Sequence, residues 1–219
     1  LMAESSKLTL GYCDIQGRAQ QIRWLLYFHK VDFDDKFYTE PADWFDKDKL
    51  SLKSDFPNIP YIQDGDVVIT ETVAALQYAA LKTGNKDLLG KNQLDAIKIS
   101  QLYSFTGDVW MAIIELAANK DFEKIRDEVL ESKIAPALEK VSKNLGEKEF
   151  PLGYLTWADF FLFDVLDLLR RMKPEFLSKW ENLSKYYERI NTEELKAYRK
   201  SEKYPKYVRY PERTTWNQV

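Results

Sequence analysis

The spacing of apolar side chains divides the chain into two unlike parts. Up to about Gly84 the pattern switches between period two and period three-to-four. Residues 7–11 (KLTLG) alternate as a short strand. After Gly17 the side chains of Ile22, Leu25, Leu26 and His29 recur at i, i+3, i+4 and i+7, one face of a helix. Residues 31–38 alternate again around Phe33 and Phe37. Residues 41–52 are polar apart from Trp44 and Phe45, which predicts a loop with some irregular helix. Two short apolar runs, 61–63 and 67–69, flank Asp64-Gly65 and predict a hairpin, because both residues tolerate positive φ. Thr70 is placed to cap a helix whose apolar face is Val73, Leu76, Ala79 and Ala80, and Gly84 to end it.

From Lys91 onward the strand signals stop. A long helix is predicted from about Leu94 and Ile97 to Asn119, and a second over 122–145 through Ile125, Val129, Ile134, Leu138 and Val141. Residues 156–172 (TWADFFLFDVLDLLRRM) are apolar nearly all round, the mark of a buried central helix in an all-α unit. Thr156 with Asp159 three residues on is a shortened capping box. Residues 183–190 and 194–200 read as amphipathic surface helices. The aromatic, basic tail KYPKYVRYPERTTW is expected to pack across the helical half. No internal repeat or low-complexity segment interrupts this order. The predicted units are an α/β domain over residues 5–88 and an all-α domain over 89–219.

Composition narrows the function by exclusion. Of 219 residues 45% are hydrophobic, enough for a real core. The net charge is −3 with acids and bases interleaved, which argues against nucleic acid as a partner. The single cysteine, Cys13, rules out an internal disulfide and a cysteine-built metal site, and the single His29 argues against a histidine-built one. No apolar run reaches the ~18 residues of a membrane span. The opening LMAESSK lacks the apolar stretch of a signal peptide, so a cytoplasmic, reducing location is expected.

Pro60 gives these elements a direction. It stands in DFPNIPYIQDGD directly before the hairpin, and a residue without an N–H is unwelcome inside a sheet. Taken alone it reads as an ordinary trans proline entering an edge strand. A β-α-β unit followed by a hairpin and a helix, with such a proline, resembles a thioredoxin-like domain, in which that proline is cis. The backbone of Ile59 would then face outward to pair with an extended peptide. A thioredoxin-like half followed by an all-α half resembles a cytosolic glutathione transferase. LGYCDIQGRAQQIRWLL, DFPNIPYIQDGD, the TETVAALQY helix start and LTWADFFLFDVLD are similar to the mu class of that family, in matching order from Leu8 to about Ser201.

The resemblance implies an enzyme that ionises glutathione and adds its sulfur to electrophilic carbons of apolar substrates. Glutathione would be a co-substrate, with no further cofactor. Tyr12, at the end of the first strand, falls on the catalytic tyrosine of the pattern. Without the resemblance it reads as a half-buried strand tyrosine. Cys13 stands where the mu pattern has tryptophan. No second cysteine follows two residues on, so its implied role is a backbone beside the glycyl end rather than a reactive thiol. Trp44 and Lys49 match the pair that holds the glycyl carboxylate, with one residue inserted. Asn58, Ile59 and Pro60 match the peptide contact. Glu71 and Thr72, in place of Gln-Ser, would take the γ-glutamyl amino group and carboxylate at a helix start. Phe56 corresponds to the side chain that mu-like subunits insert into a partner, which implies a homodimer. Trp110 and Met111 are candidates for the electrophile pocket. Thr156 and Asp159 are read as structural, and His29 as a helix residue without a ligand role. The family also holds isomerases and peroxidases that use the same thiolate. A non-catalytic carrier or crystallin-like relative is the alternative of another class.

Overall fold

The computed structural model describes residues 7–210 and 214–216. Residues 5–6 and 217–219 of the two expected units, and 211–213 of the tail, lie outside the described residues. The first part folds as β1 (Leu8–Cys13), α1 (Gln20–Phe28), β2 (Phe33–Tyr38), a π-helical turn at Asp43–Asp48 running into α2 (Lys49–Ser51), then β3 (Tyr61–Asp64), β4 (Val67–Thr70) and α3 (Thr72–Lys82). The sheet order is β2-β1-β3-β4, with β1 parallel to β2 and the other pairs antiparallel.

Period-two alternation sorts the two faces of the sheet. Leu8, Leu10 and Ile62 point into the main core under α1 and α3. Gly11 and Tyr61 are cross-strand partners on the other face. A Cβ on Gly11 would lie 2.2 Å from the Tyr61 ring, so this strand position must be glycine for the ring to lie across it. Tyr38, Trp44 and Tyr61 form a small second core there.

The hairpin forms one residue later than the sequence predicts. Asp64 pairs with Val67 and ends β3, so the turn is Gly65-Asp66, and Gly65 alone takes a positive φ of 60°. Thr70 closes β4, and the N-cap of α3 is Glu71. Val73 is 38% exposed, and Ala75 takes its expected place on the buried face of α3.

Helices account for the rest: α4 (Gln93–Ala118), α5 (Phe122–Val129), a π-helical turn at Leu130–Ile134, α6 (Ala135–Leu145), α7 (Trp157–Met172), α8 (Glu181–Ile190) and α9 (Glu193–Lys200). The central helix α7 is buried along almost its whole length, as its all-round apolarity predicts. Its start is closed by Asp159, whose carboxylate accepts the Thr156 N–H and Oγ–H, both at 2.7 Å, and the Tyr186 hydroxyl at 2.9 Å. Burial pushes the Asp159 pKa up to about 6 against the pull of those bonds.

Helix α1 is buried on more sides than its periodicity suggests, because α3, α7 and α9 all pack on it. Trp24 meets Phe163 and Tyr198 edge-on and donates Nε1–H to buried Asp164 at 2.8 Å. Arg23 is fully buried; its Nε and Nη2 fork onto Asp35 of β2 at 2.7 and 3.3 Å, and Nη1 donates to the Ile15 carbonyl at 3.0 Å. That ion pair ties the loop after β1 to the sheet. The tail packs back onto the same loop: the Gln16 and Gly17 N–H groups donate to the Tyr207 and Val208 carbonyls at 2.8 and 3.1 Å. It also reaches α4, where Thr215 and Trp216 N–H groups find the Ala117 carbonyl. The tail therefore binds both halves, not the helical one alone.

Candidate functional site

Tyr12 is the next-to-last residue of β1 and 9% exposed. Its hydroxyl oxygen accepts the Arg18 backbone N–H at 3.2 Å. The oxygen is thus held from one side while its own proton remains to be given. Burial pushes the Tyr12 pKa up, with the Arg18 N–H pulling the other way, so at neutral pH the group is a hydroxyl donor and not a phenolate. Gly17 makes room for it: with φ of 43°, a Cβ here would stand 2.8 Å from both the Tyr12 ring and its oxygen.

A second cluster forms where α3 begins. Glu71 has a φ of 68° and no side chain caps this helix start. The Asn58 side chain bridges two groups, donating Nδ2–H to Glu71 Oε1 at 2.8 Å and accepting the Ile59 N–H at 2.9 Å. The Ile59–Pro60 bond is cis. Asn58, Ile59, Glu71 and Thr72 are therefore brought together beside an open helix N-terminus, a place that suits a carboxylate. The Ile59 N–H expected to meet a peptide is engaged by its own neighbour's side chain.

Trp44 and Lys49 do not meet in this way. The Trp44 indole is 3% exposed, packed edge-on to Tyr38 and stacked on Tyr61. Phe45 instead is 57% exposed, with the Lys49 ammonium 5.6 Å above its ring. Trp44 thus faces inward onto the glycine-floored face of the sheet, and Phe45 lies beside the lysine.

Across the cleft, Trp110 of α4 is 8% exposed and Met111 is 41% exposed. The Arg18 guanidinium lies over the Trp110 ring, 5.3 Å from its centroid. Half-buried Cys13 accepts a hydrogen bond from the Tyr210 hydroxyl, O to Sγ 2.8 Å. Phe56 is 74% exposed on the loop before the cis proline. His29 follows the last turn of α1, where burial pushes its pKa down. Sequence reasoning missed Arg18, Arg23, Asp164 and Tyr210. Only Arg18 carried a usable signal, a cation one position past the glycine that a tyrosine two residues into the strand end requires.

Both halves of the chain resemble known proteins. Residues 8–81 match the family model described as glutathione S-transferase, N-terminal domain, and residues 107–202 the model of the C-terminal domain. A glutathione S-transferase of Dermatophagoides pteronyssinus is 38% identical over 85% of this chain and 87% of its own. Human glutathione S-transferase Mu 5 is 32% identical over 96% of this chain and 98% of its own. Among solved structures, the Pi-class glutathione S-transferase of Onchocerca volvulus superimposes with a TM-score of 0.80 at 25% identity, covering 95% of this chain and all of that one.

Proposed function

Because the chain belongs to the glutathione S-transferase family, with mu-class proteins among its relatives, we propose that it conjugates glutathione to apolar electrophiles with Tyr12 as the thiolate-stabilising residue. The observation that carries this reading is the Tyr12 hydroxyl, fixed through its oxygen and keeping a proton to donate. A glutathione thiol, like free cysteine, has a pKa of about 8.5, so only a few per cent is ionised at neutral pH. A hydrogen bond from a neutral hydroxyl favours the thiolate, and lowering its pKa by about two units takes about 2.7 kcal/mol of differential stabilisation.

The tripeptide lies along the α/β half. Thr72 and the open start of α3 hold the γ-glutamyl carboxylate. Glu71, steadied by Asn58, faces the amino group. The peptide runs past Ile59, Pro60 and the Cys13 backbone, and Lys49 holds the glycyl carboxylate. With its indole buried, Trp44 supports that segment from below and Phe45 takes the exposed place beside Lys49. Trp110 and Met111 of α4 border the acceptor space. No cofactor beyond glutathione is needed.

The working unit is a homodimer in the cytoplasm. Exposed Phe56 of one copy fits the cavity of about 480 Å³ between α4 and α6 of another, whose apolar lining includes Leu102, Phe105, Val141 and Leu152. Leu94 and Ile97 of the same stretch of α4 are exposed at 58% and 66%. Among the described residues no helix is long and apolar enough to cross a membrane. The test is turnover of glutathione with 1-chloro-2,4-dinitrobenzene, expected at a rate well above the uncatalysed one. Glutathione bound without turnover would make the protein a carrier instead.

A further inference from the structure

The site holds a cation without an ionic partner. Among the described residues, Arg23 is held by Asp35, Arg171 and Arg199 by Asp167, Arg126 by Glu123 and Asp127, and Arg170 by Glu188. Arg18 has no such carboxylate. Its guanidinium is nevertheless not loose, because it lies on the face of Trp110 at 5.3 Å from the ring centroid. The side chain is exposed, and there the ring quadrupole attracts the cation. Trp110 is itself fixed: it is 8% exposed, and its side chain meets Asp164, the buried carboxylate that also takes the Trp24 Nε1–H.

Two tyrosines locate the charge. The Arg18 backbone N–H binds the Tyr12 oxygen, and its positive charge acts on both Tyr12 of β1 and Tyr103 of α4, opposing the rise that burial imposes on each. Arg18 therefore sits in the cleft between the two halves, next to the hydroxyl proposed to meet the sulfur, and among the described residues its guanidinium N–H groups are not tied to protein acceptors.

Resting on the transferase reading, we propose that Arg18 is the acceptor-side partner of Tyr12. It donates to the oxygen that gains charge when the thiolate adds to a conjugated carbonyl compound, and so biases the enzyme toward that substrate class. In this step a sulfur lone pair forms the C–S bond at the β-carbon. The C=C π pair moves toward the carbonyl, and its oxygen becomes an enolate. The enolate then takes a proton from water at the α-carbon, and the hydroxide formed is neutralised by the proton that left the thiol. With an alkyl halide the displaced pair leaves on the halide and no oxygen gains charge. A preorganised donor aimed at a developing oxyanion acts on the first reaction and has no such oxygen to serve in the second.

The test compares two acceptors that share a phenyl group, 4-phenylbut-3-en-2-one and benzyl chloride. The quantity read is the ratio of their kcat/KM values, which divides out any effect on glutathione binding or on the shared thiolate. Arg18→Leu should lower that ratio about ten- to a hundredfold, and Arg18→Lys, which keeps the charge, should recover most of it. An unchanged ratio in the leucine variant, with both conjugations measurable, overturns the assignment and leaves the transferase reading intact. A wild-type protein that conjugates neither compound overturns the assignment, and one that also fails to turn over 1-chloro-2,4-dinitrobenzene overturns the transferase reading as well.

Discussion

Two helix starts in this molecule carry the same chemistry and opposite architecture. Each pairs a threonine with an acid. At α7 the acid turns inward: Asp159 is fully buried and gathers the Thr156 N–H, the Thr156 hydroxyl and the Tyr186 hydroxyl. At α3 nothing turns inward: Glu71 holds a positive φ, no side chain caps the helix, and the acid leans out to Asn58. A helix end that satisfies itself serves folding. One left open to the cleft serves a ligand, because its N–H groups and dipole still seek an anion. The contrast extends to the end of β1, where the Tyr12 hydroxyl oxygen is held by the Arg18 N–H and its proton remains to be given.

The contrast can be broken at either end. The largest effect is expected at Tyr12. Tyr12→Phe should cut turnover by roughly ten- to a thousandfold, by removing one donor to an anion. The melting temperature should barely move, and the deficit should shrink as pH rises toward the free thiol pKa. Ultraviolet titration of bound thiolate checks this. A Cys13→Ser variant should keep most of the activity; its collapse would transfer the chemistry to the cysteine.

At the closed end, Asp159→Ala strands buried donors of Thr156 and Tyr186. It should destabilise folding by about 2–4 kcal/mol in denaturant melts, since each stranded donor costs about 1–3 kcal/mol. Activity per folded molecule should survive. Thr72→Ala, its counterpart at the open end, should leave the melt nearly unchanged and raise the KM for glutathione about tenfold with kcat little altered. If these two readouts were exchanged, the distinction between the helix starts would fall.

The smallest effect is one of pH. Burial pushes the Asp164 pKa up to about 7, with neighbouring Asp167 adding to the rise and Trp24, Arg171 and Trp110 opposing it. An acid whose folded pKa is raised lends stability that is lost as pH climbs through that value. Between pH 6 and pH 7 wild type should therefore lose about 1 kcal/mol relative to Asp164→Asn, which cannot ionise. His29, whose charged form burial disfavours, works the other way over the same window. The difference between wild type and variant is thus the readout.

Much of this was legible in the sequence, for reasons that also mark where legibility stops. Local rules found the helices, the hairpin and the α7 capping box, because periodicity and short-range hydrogen bonding decide them, whereas the cap expected from Thr70 gave way to an uncapped start at Glu71. The turn slipped by one residue since Asp64 and Gly65 both suit a turn and only pairing with Val67 decides between them. That the Trp44 indole lies buried against Tyr38 and Tyr61 could not be read from its polar segment. That Gly11 leaves a hollow for Tyr61, and so a floor for Trp44, appears only once β1 and β3 are paired. Arg23 and Asp164 were illegible for one shared reason: each meets partners from other elements of the fold.

The bonds from residues 16 and 17 to the carbonyls of 207 and 208 impose an order on biosynthesis. The loop that positions Tyr12 leaves the ribosome well before its clamp, which lies far downstream in the chain. During translation, at about 5–20 residues per second, the α/β half waits some ten seconds or more with its catalytic loop unfastened. A nascent chain stalled before residue 207 would carry every residue proposed to face glutathione and still lack the strap that fastens the loop beside Tyr12.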